Sequence, residues 1–92
     1  MSSEAPDARP AGVNPDILWR VVGDEALLLD TISGNYFSLD PIATEIWSRL
    51  VKGESVDSVA SMIAERYSID SGRARSDIDD LVADLKNADI WR

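Results

Sequence analysis

The spacing of apolar residues changes once along the chain. Up to Leu39 they come in short runs separated by turn-forming residues, and from Ile42 onward they recur at intervals of three and four. Residues 17–22 (ILWRVV) are rich in β-branched and aromatic side chains and predict a strand. Gly23-Asp24 then marks a turn. Residues 25–30 (EALLLD) predict a second strand, because the run is short and turns flank it on both sides. Alternation places Leu27 and Leu29 on one face and Ala26 and Leu28 on the other. After Thr31-Ile32-Ser33-Gly34, where glycine is free to take positive φ, residues 35–39 (NYFSL) predict a third strand. In it Phe37 and Leu39 share one face, assigned to the core, and Tyr36 and Ser38 share the other. Connections this short make the three strands antiparallel neighbours.

The helical half begins at Asp40-Pro41, since aspartate caps free backbone N–H groups and proline fits the first helical position. Ile42, Ala43, Ile46, Trp47 and Leu50 form the apolar stripe of a first helix ending near Lys52-Gly53. Ser55 caps a second helix, which carries Val56, Val59, Ala60, Ile63 and Tyr67 inward. A third starts at Asp70 or Ser71, has Ala74, Ile78, Leu81, Val82 and Leu85 as its stripe, and stops near Ala88. Ile90 and Trp91 are expected to fold back on the core, where a large apolar side chain gains most from leaving water. Residues 1–16 hold Pro6, Pro10 and Pro15 without apolar periodicity and read as a disordered N-terminal tail, leaving 17–92 as the domain.

The fold class is therefore α+β: a three-stranded antiparallel β-meander followed by three α-helices. Three strands do not hold together alone, so the helices must cover one sheet face. These are the parts of a winged helix-turn-helix domain, with the sheet first.

Composition narrows the function. The chain of 92 residues is one small domain, with a net charge of −8 and neither cysteine nor histidine. Disulfides, thiolate metal sites and the commonest general base are all absent. Lysine occurs only at positions 52 and 86, and the five glycines are scattered, so no nucleophile–base pair and no phosphate loop is present. Asp77, Asp79, Asp80 and Asp84 offer carboxylates for a hard cation, but Asp77, Asp80 and Asp84 form a stripe beside the apolar one and read as a solvated face rather than a metal site. The expectation is a protein that is not an enzyme and carries no cofactor and no metal. No apolar run reaches the ~20 residues that span a bilayer, and no secretory signal precedes the domain, so the protein is expected to be cytoplasmic. Nucleic acid is a poor partner: residues 70–89, which hold the third helix that would have to approach phosphates, set six aspartates against Arg73, Arg75 and Lys86. The charge argues equally against anionic membranes.

What remains is an interaction module. The third strand is the last, so its outer edge has no later strand to pair with. Asn35, Tyr36, Phe37, Ser38 and Leu39 contain no charge and no proline to blunt it. Such an edge suits an extended peptide that adds as a further strand. The competing arrangement is coverage of this edge by the third helix or by the N-terminal tail.

The order of "ALLLD", "GNYFSLDPIATEIWSRL", "GESVDSVASMIAERYSID" and "DIDDLVADLKNADIW" resembles the PqqD-like family, whose members are also called RiPP recognition elements. The resemblance covers roughly residues 17–91. It implies a winged-helix-like fold without catalysis. It also implies a precursor's leader peptide lying as an added antiparallel strand between the third strand and the third helix. By position it maps the site to Asn35, Tyr36, Phe37, Ser38 and Leu39, with Arg73, Asp77, Ile78, Leu81 and Val82 on the helix. There Arg73 and Asp77 would set register by charge, and the three apolar residues would form pockets, with ordinary core packing as their competing role. The implied partners are the leader peptide and the enzyme that receives the precursor, a leader peptidase or another modifying enzyme such as a radical SAM enzyme. The hairpin lacks the Pro-Glu-rich step frequent in pyrroloquinoline quinone synthesis, and "GNYFSLDPIATEIW" is most similar to the stand-alone leader binders of lasso-peptide pathways. A peptide chaperone for pyrroloquinoline quinone or another RiPP pathway is the alternative, and a winged-helix DNA-binding protein the remoter one. The expected state is a monomer, with self-pairing through the open edge as the other possibility.

Overall fold

The computed structural model describes residues 12–91. Three strands come first, β1 (Ile17–Val22), β2 (Glu25–Asp30) and β3 (Tyr36–Leu39), and form one antiparallel sheet in the order β1-β2-β3. Three helices follow, α1 (Pro41–Val51), α2 (Val56–Tyr67) and α3 (Ser71–Asn87). The α+β order expected from the sequence is the order observed. Gly23 has φ +67° while Asp24 stays out of the left-handed region, so the β1–β2 turn needs glycine only at its first central position. All three helices begin as their local chemistry dictates: Asp40, Ser55 and Asp70 accept hydrogen bonds from the N–H groups of Ala43, Ser58 and Arg73 at 2.8, 3.1 and 3.2 Å.

Two apolar clusters meet at α3. One lies under the sheet and joins Ile17, Ala26, Leu28 and Leu39 to Trp47, Leu85 and Ile90. The other lies among the helices and joins Ile46, Leu50, Val59, Ala60 and Ile63 to Ala74 and Ile78. Trp47 is fully buried, and the Trp19 and Trp91 rings stand edge-on to it with centroids 5.2 and 5.5 Å away. This is the geometry that the ring quadrupoles favour.

Three expectations change. The first concerns the tail. Its residues 1–11 lie outside the described residues, but residues 13–16 belong to the fold. Val13 is buried and bridges Trp91. Asn14 is buried, and its amide nitrogen donates to the Asp89 carbonyl at 2.8 Å while its Oδ1 accepts from the Asp16 N–H at 2.9 Å. The Asn14 N–H reaches the Ile90 carbonyl at 2.9 Å, so this segment clasps the end of the chain that Ile90 and Trp91 bring back to the core. The second and third are exposed residues expected inside, Ile42 and Tyr67, in the first turn of α1 and the last turn of α2. At helix ends the stripe runs past the edge of what it packs on, and periodicity alone does not mark where that edge falls.

Candidate functional site

The register fixes which backbone groups of β3 are free. Gly34, at φ +80°, donates its N–H to the Asp30 carbonyl at 2.8 Å, and the Asp30 N–H reaches the Asn35 carbonyl at 2.8 Å. Two residues thus face one, a bulge that needs glycine in its first position. The Asp30 carboxylate organises the turn by accepting the N–H groups of Ile32 and Ser33 at 2.9 and 3.2 Å. Those two backbone donors hold its pKa below the ordinary 3.8. Asn35 is outside the strand, and its own N–H meets the Ser33 hydroxyl at 3.2 Å.

From the Asp30–Asn35 pair the antiparallel ladder alternates. Phe37 opposite Leu28, and Leu39 opposite Ala26, turn their main-chain groups inward. Tyr36 and Ser38, opposite Leu29 and Leu27, turn theirs to the open edge. β3 is the last strand of the sheet, and among the described residues no backbone hydrogen bond reaches Tyr36 or Ser38 from beyond it. The edge is therefore a short row of two N–H and two C=O groups spaced for an extended chain.

Side chains follow the same alternation. Phe37 lies on the core face with Leu28 and Leu39, yet it is 36% exposed because no strand flanks it beyond the edge. Leu39 is buried, so of the two residues assigned to the core only Phe37 keeps an open side. Leu39 is anchored by a contact that sequence reading missed. The buried Thr44 hydroxyl donates to the Leu39 carbonyl at 3.1 Å and accepts the Ala26 N–H at 2.9 Å. It stands between two backbone groups of adjacent strands and ties the end of β3 to α1. No local signal marks Thr44, because its partners lie 5 and 18 residues away.

The helix positions separate by depth. Ile78 is fully buried in the helical cluster and has no surface to offer, so its role is packing. Leu81 is half-buried and touches both clusters, and Val82 is half-buried against the helical one. Arg73 and Asp77 are exposed and lie 3.8 Å apart, one turn from each other on α3. Arg75 is engaged elsewhere, with Asp79 at 3.3 Å and with Asp57 of α2. Among the described residues no group of three or more histidine, cysteine, aspartate or glutamate side chains is placed to hold a metal ion, and no helix is long and apolar enough to cross a membrane.

Two solved structures share this architecture. "TbiB1 in Complex with the TbiA(beta) Leader Peptide" matches with a TM-score of 0.82 and 28% identity, over 87% of this chain and 93% of that one. "Lasso peptide synthetase B1 complexed with the leader peptide" matches with a TM-score of 0.83 and 31% identity, over 87% of this chain and 94% of that one. Among curated proteins, none matches the sequence. The family model described as coenzyme PQQ synthesis protein D (PqqD) matches residues 25–90, which run from the first residue of β2 through the buried Ile90. By that match, and with the same three strands and three helices, the chain belongs to the PqqD family.

Proposed function

We propose that the protein binds the leader peptide of a ribosomally made precursor, without catalysis, and presents it to the enzyme that processes it in a lasso-peptide pathway. The observation that carries this reading is the outward ladder of Tyr36 and Ser38 on an edge free of charge and proline. Two structures of the same fold, each solved with a leader peptide, support it. The leader would run antiparallel to β3, exchanging main-chain hydrogen bonds with Tyr36 and Ser38. Its intervening residues would enter the cleft beside the open side of Phe37, toward Leu81 and Val82 of α3. Arg73 and Asp77 would set register at the exposed end of that helix. The work is done in the cytoplasm, where precursors are made, and by a monomer, since the edge that self-pairing would use is the leader's.

A pair of proline substitutions tests the site. Ser38→Pro removes an N–H that faces the edge, and proline is tolerated on such an edge. It is expected to leave the circular dichroism spectrum unchanged and to weaken leader binding by about tenfold or more, the equivalent of ~1–3 kcal/mol for an unpaired buried group. Phe37→Pro removes an N–H that bonds to β2, and is expected to destabilise the fold itself. A folded Ser38→Pro variant that binds the leader as tightly as the wild type sinks the assignment.

A further inference from the structure

The β2–β3 turn carries a side chain that the fold does not account for. Ile32, at its tip, is 77% exposed, the most exposed of the large apolar residues described. Turn tips ordinarily hold glycine, asparagine, aspartate, serine or proline, and a β-branched side chain brings nothing to them. Hydrogen bonds from its neighbours already fix this turn. The Asp30 carboxylate accepts the Ile32 and Ser33 N–H groups, and the Gly34 N–H reaches the Asp30 carbonyl. Thr31 donates both its N–H and its hydroxyl to the Asp16 carbonyl, at 3.0 and 2.8 Å, which ties the turn to the segment before β1. Ile32 contributes its N–H, which any residue but proline would supply. A lone apolar residue in water is ordinary by itself. This one is held on a well-bonded turn, and the turn stands at one end of the docking edge.

Antiparallel addition fixes which part of the leader passes this turn. β3 runs from Tyr36 to Leu39, away from the turn. A leader added antiparallel meets Ser38 first and Tyr36 two residues later, and its next residues continue past Asn35 and Gly34. With a rise of ~3.4 Å per residue, about three to five residues beyond the one opposite Tyr36 bring it level with the tip. The tip lies between the lines of β2 and β3, and strands lie about 4.8 Å apart, so Ile32 sits about 7 Å to the side of the leader's path. Two apolar side chains span that gap. We propose that Ile32 is a specificity-determining contact, taking an apolar side chain from the leader segment that follows the added strand. The inference rests on leader binding at β3 and extends that site from the two ladder residues to the turn. The leader is the occupant because its own path brings it here, whereas the net charge of −8 sets a second copy of the chain against the first. The hydrogen-bonded turn holds Ile32 in place before the leader arrives, so little ordering is needed on binding. The contact also gives the site a polarity: a leader paired in the opposite sense would leave at α1 and miss Ile32.

The test uses the full chain and the leader of the precursor encoded alongside it, labelled with fluorescein at its N-terminus. The leader is used whole and shortened one residue at a time from its C-terminal end, against wild type, Ile32→Ser and Ile32→Leu. Affinity is read by fluorescence anisotropy and folding by circular dichroism melts. Ile32→Ser changes a side chain that stands in water, so it is expected to melt as the wild type does. It is expected to bind the whole leader about three- to tenfold more weakly, as for the loss of one partly buried apolar contact. Ile32→Leu is expected to stay within about twofold of wild type. Shortening the leader on wild type should give a first drop of that same size when the residue facing Ile32 is removed, before the larger drop as the paired stretch is lost. On Ile32→Ser the first drop should be absent. Equal whole-leader binding by wild type and folded Ile32→Ser overturns the inference and leaves leader binding at β3 intact. So does a wild-type series with no drop before the paired stretch is reached, whatever the variants do. A loss in Ile32→Ser that persists for leaders too short to reach the turn also overturns it, because the turn would then be acting through β3. Failure of the wild type to bind the leader defeats the underlying reading, and this inference with it.

Discussion

Leu28 and Leu29 are neighbours in β2 with the same side chain, and the sheet sends them to opposite surroundings. Leu28 is fully buried against the α1 and α3 side of the domain, whereas Leu29 is 39% exposed on the outer face between Leu18 and Tyr36. Each face carries apolar side chains on all three strands. Among the described residues, the inner face has helices to cover it and the outer face does not. In an antiparallel sheet with one covered face the uncovered one is ordinarily polar. Here it is apolar in a row, Leu18, Leu29 and Tyr36, that crosses all three strands and ends at the outer edge of β3.

Truncation should separate the faces most sharply. Leu28→Ala opens a cavity in the core and is expected to cost about 2–5 kcal/mol. Leu29→Ala loses only cross-strand contacts and should cost less than about 1 kcal/mol. Urea denaturation of both variants measures the contrast. Equal losses would mean that the outer face is covered in the folded protein after all.

A smaller effect is expected at the hinge between sheet and helices. Thr44→Val keeps the volume but removes the hydroxyl shared by the Ala26 N–H and the Leu39 carbonyl. A loss of about 1–3 kcal/mol is expected from leaving those buried groups unpaired. Amide exchange should show the opening concentrated at Ala26 and Leu39. A neutral Thr44→Val would show that the two strands close directly on each other without the hydroxyl.

The smallest effect lies in the β2–β3 turn. The folded-state pKa of Asp30 is held below 3.8 by the Ile32 and Ser33 N–H groups. A lowered folded pKa stabilises above the unfolded value, and that contribution is lost as pH falls through the folded one. Asp30→Asn should therefore be slightly less stable than wild type near neutrality. The difference should shrink as pH drops below the ordinary carboxylate value of 3.8. Thermal melts of both proteins from neutral to acid pH check this, and a gap that widens in acid would reverse the sign assigned to Asp30.

Element identity and order were legible in the chain because their signals are local. Gly23-Asp24 and Gly34 set the two hairpin turns, and Asp40, Ser55 and Asp70 cap the helices from within three residues of the groups they satisfy. The unprotected β3 segment was legible for the same reason, since it is a matter of which residue types are missing from five consecutive positions. The free main-chain groups of that edge needed the register: the Gly34 bulge sets the phase of the ladder, and that phase selects Tyr36 and Ser38 over Phe37. Tertiary packing alone decided that Ile78 is core while Leu81 stays half-open, and that Asn14 belongs to the fold by clasping residues 75 and more positions away. It also decided which half of the leucine run goes inside. Alternation divides Leu27, Leu28 and Leu29 between two faces but is symmetric between them. Only the helices arriving from later in the chain break that symmetry, by removing one face from water.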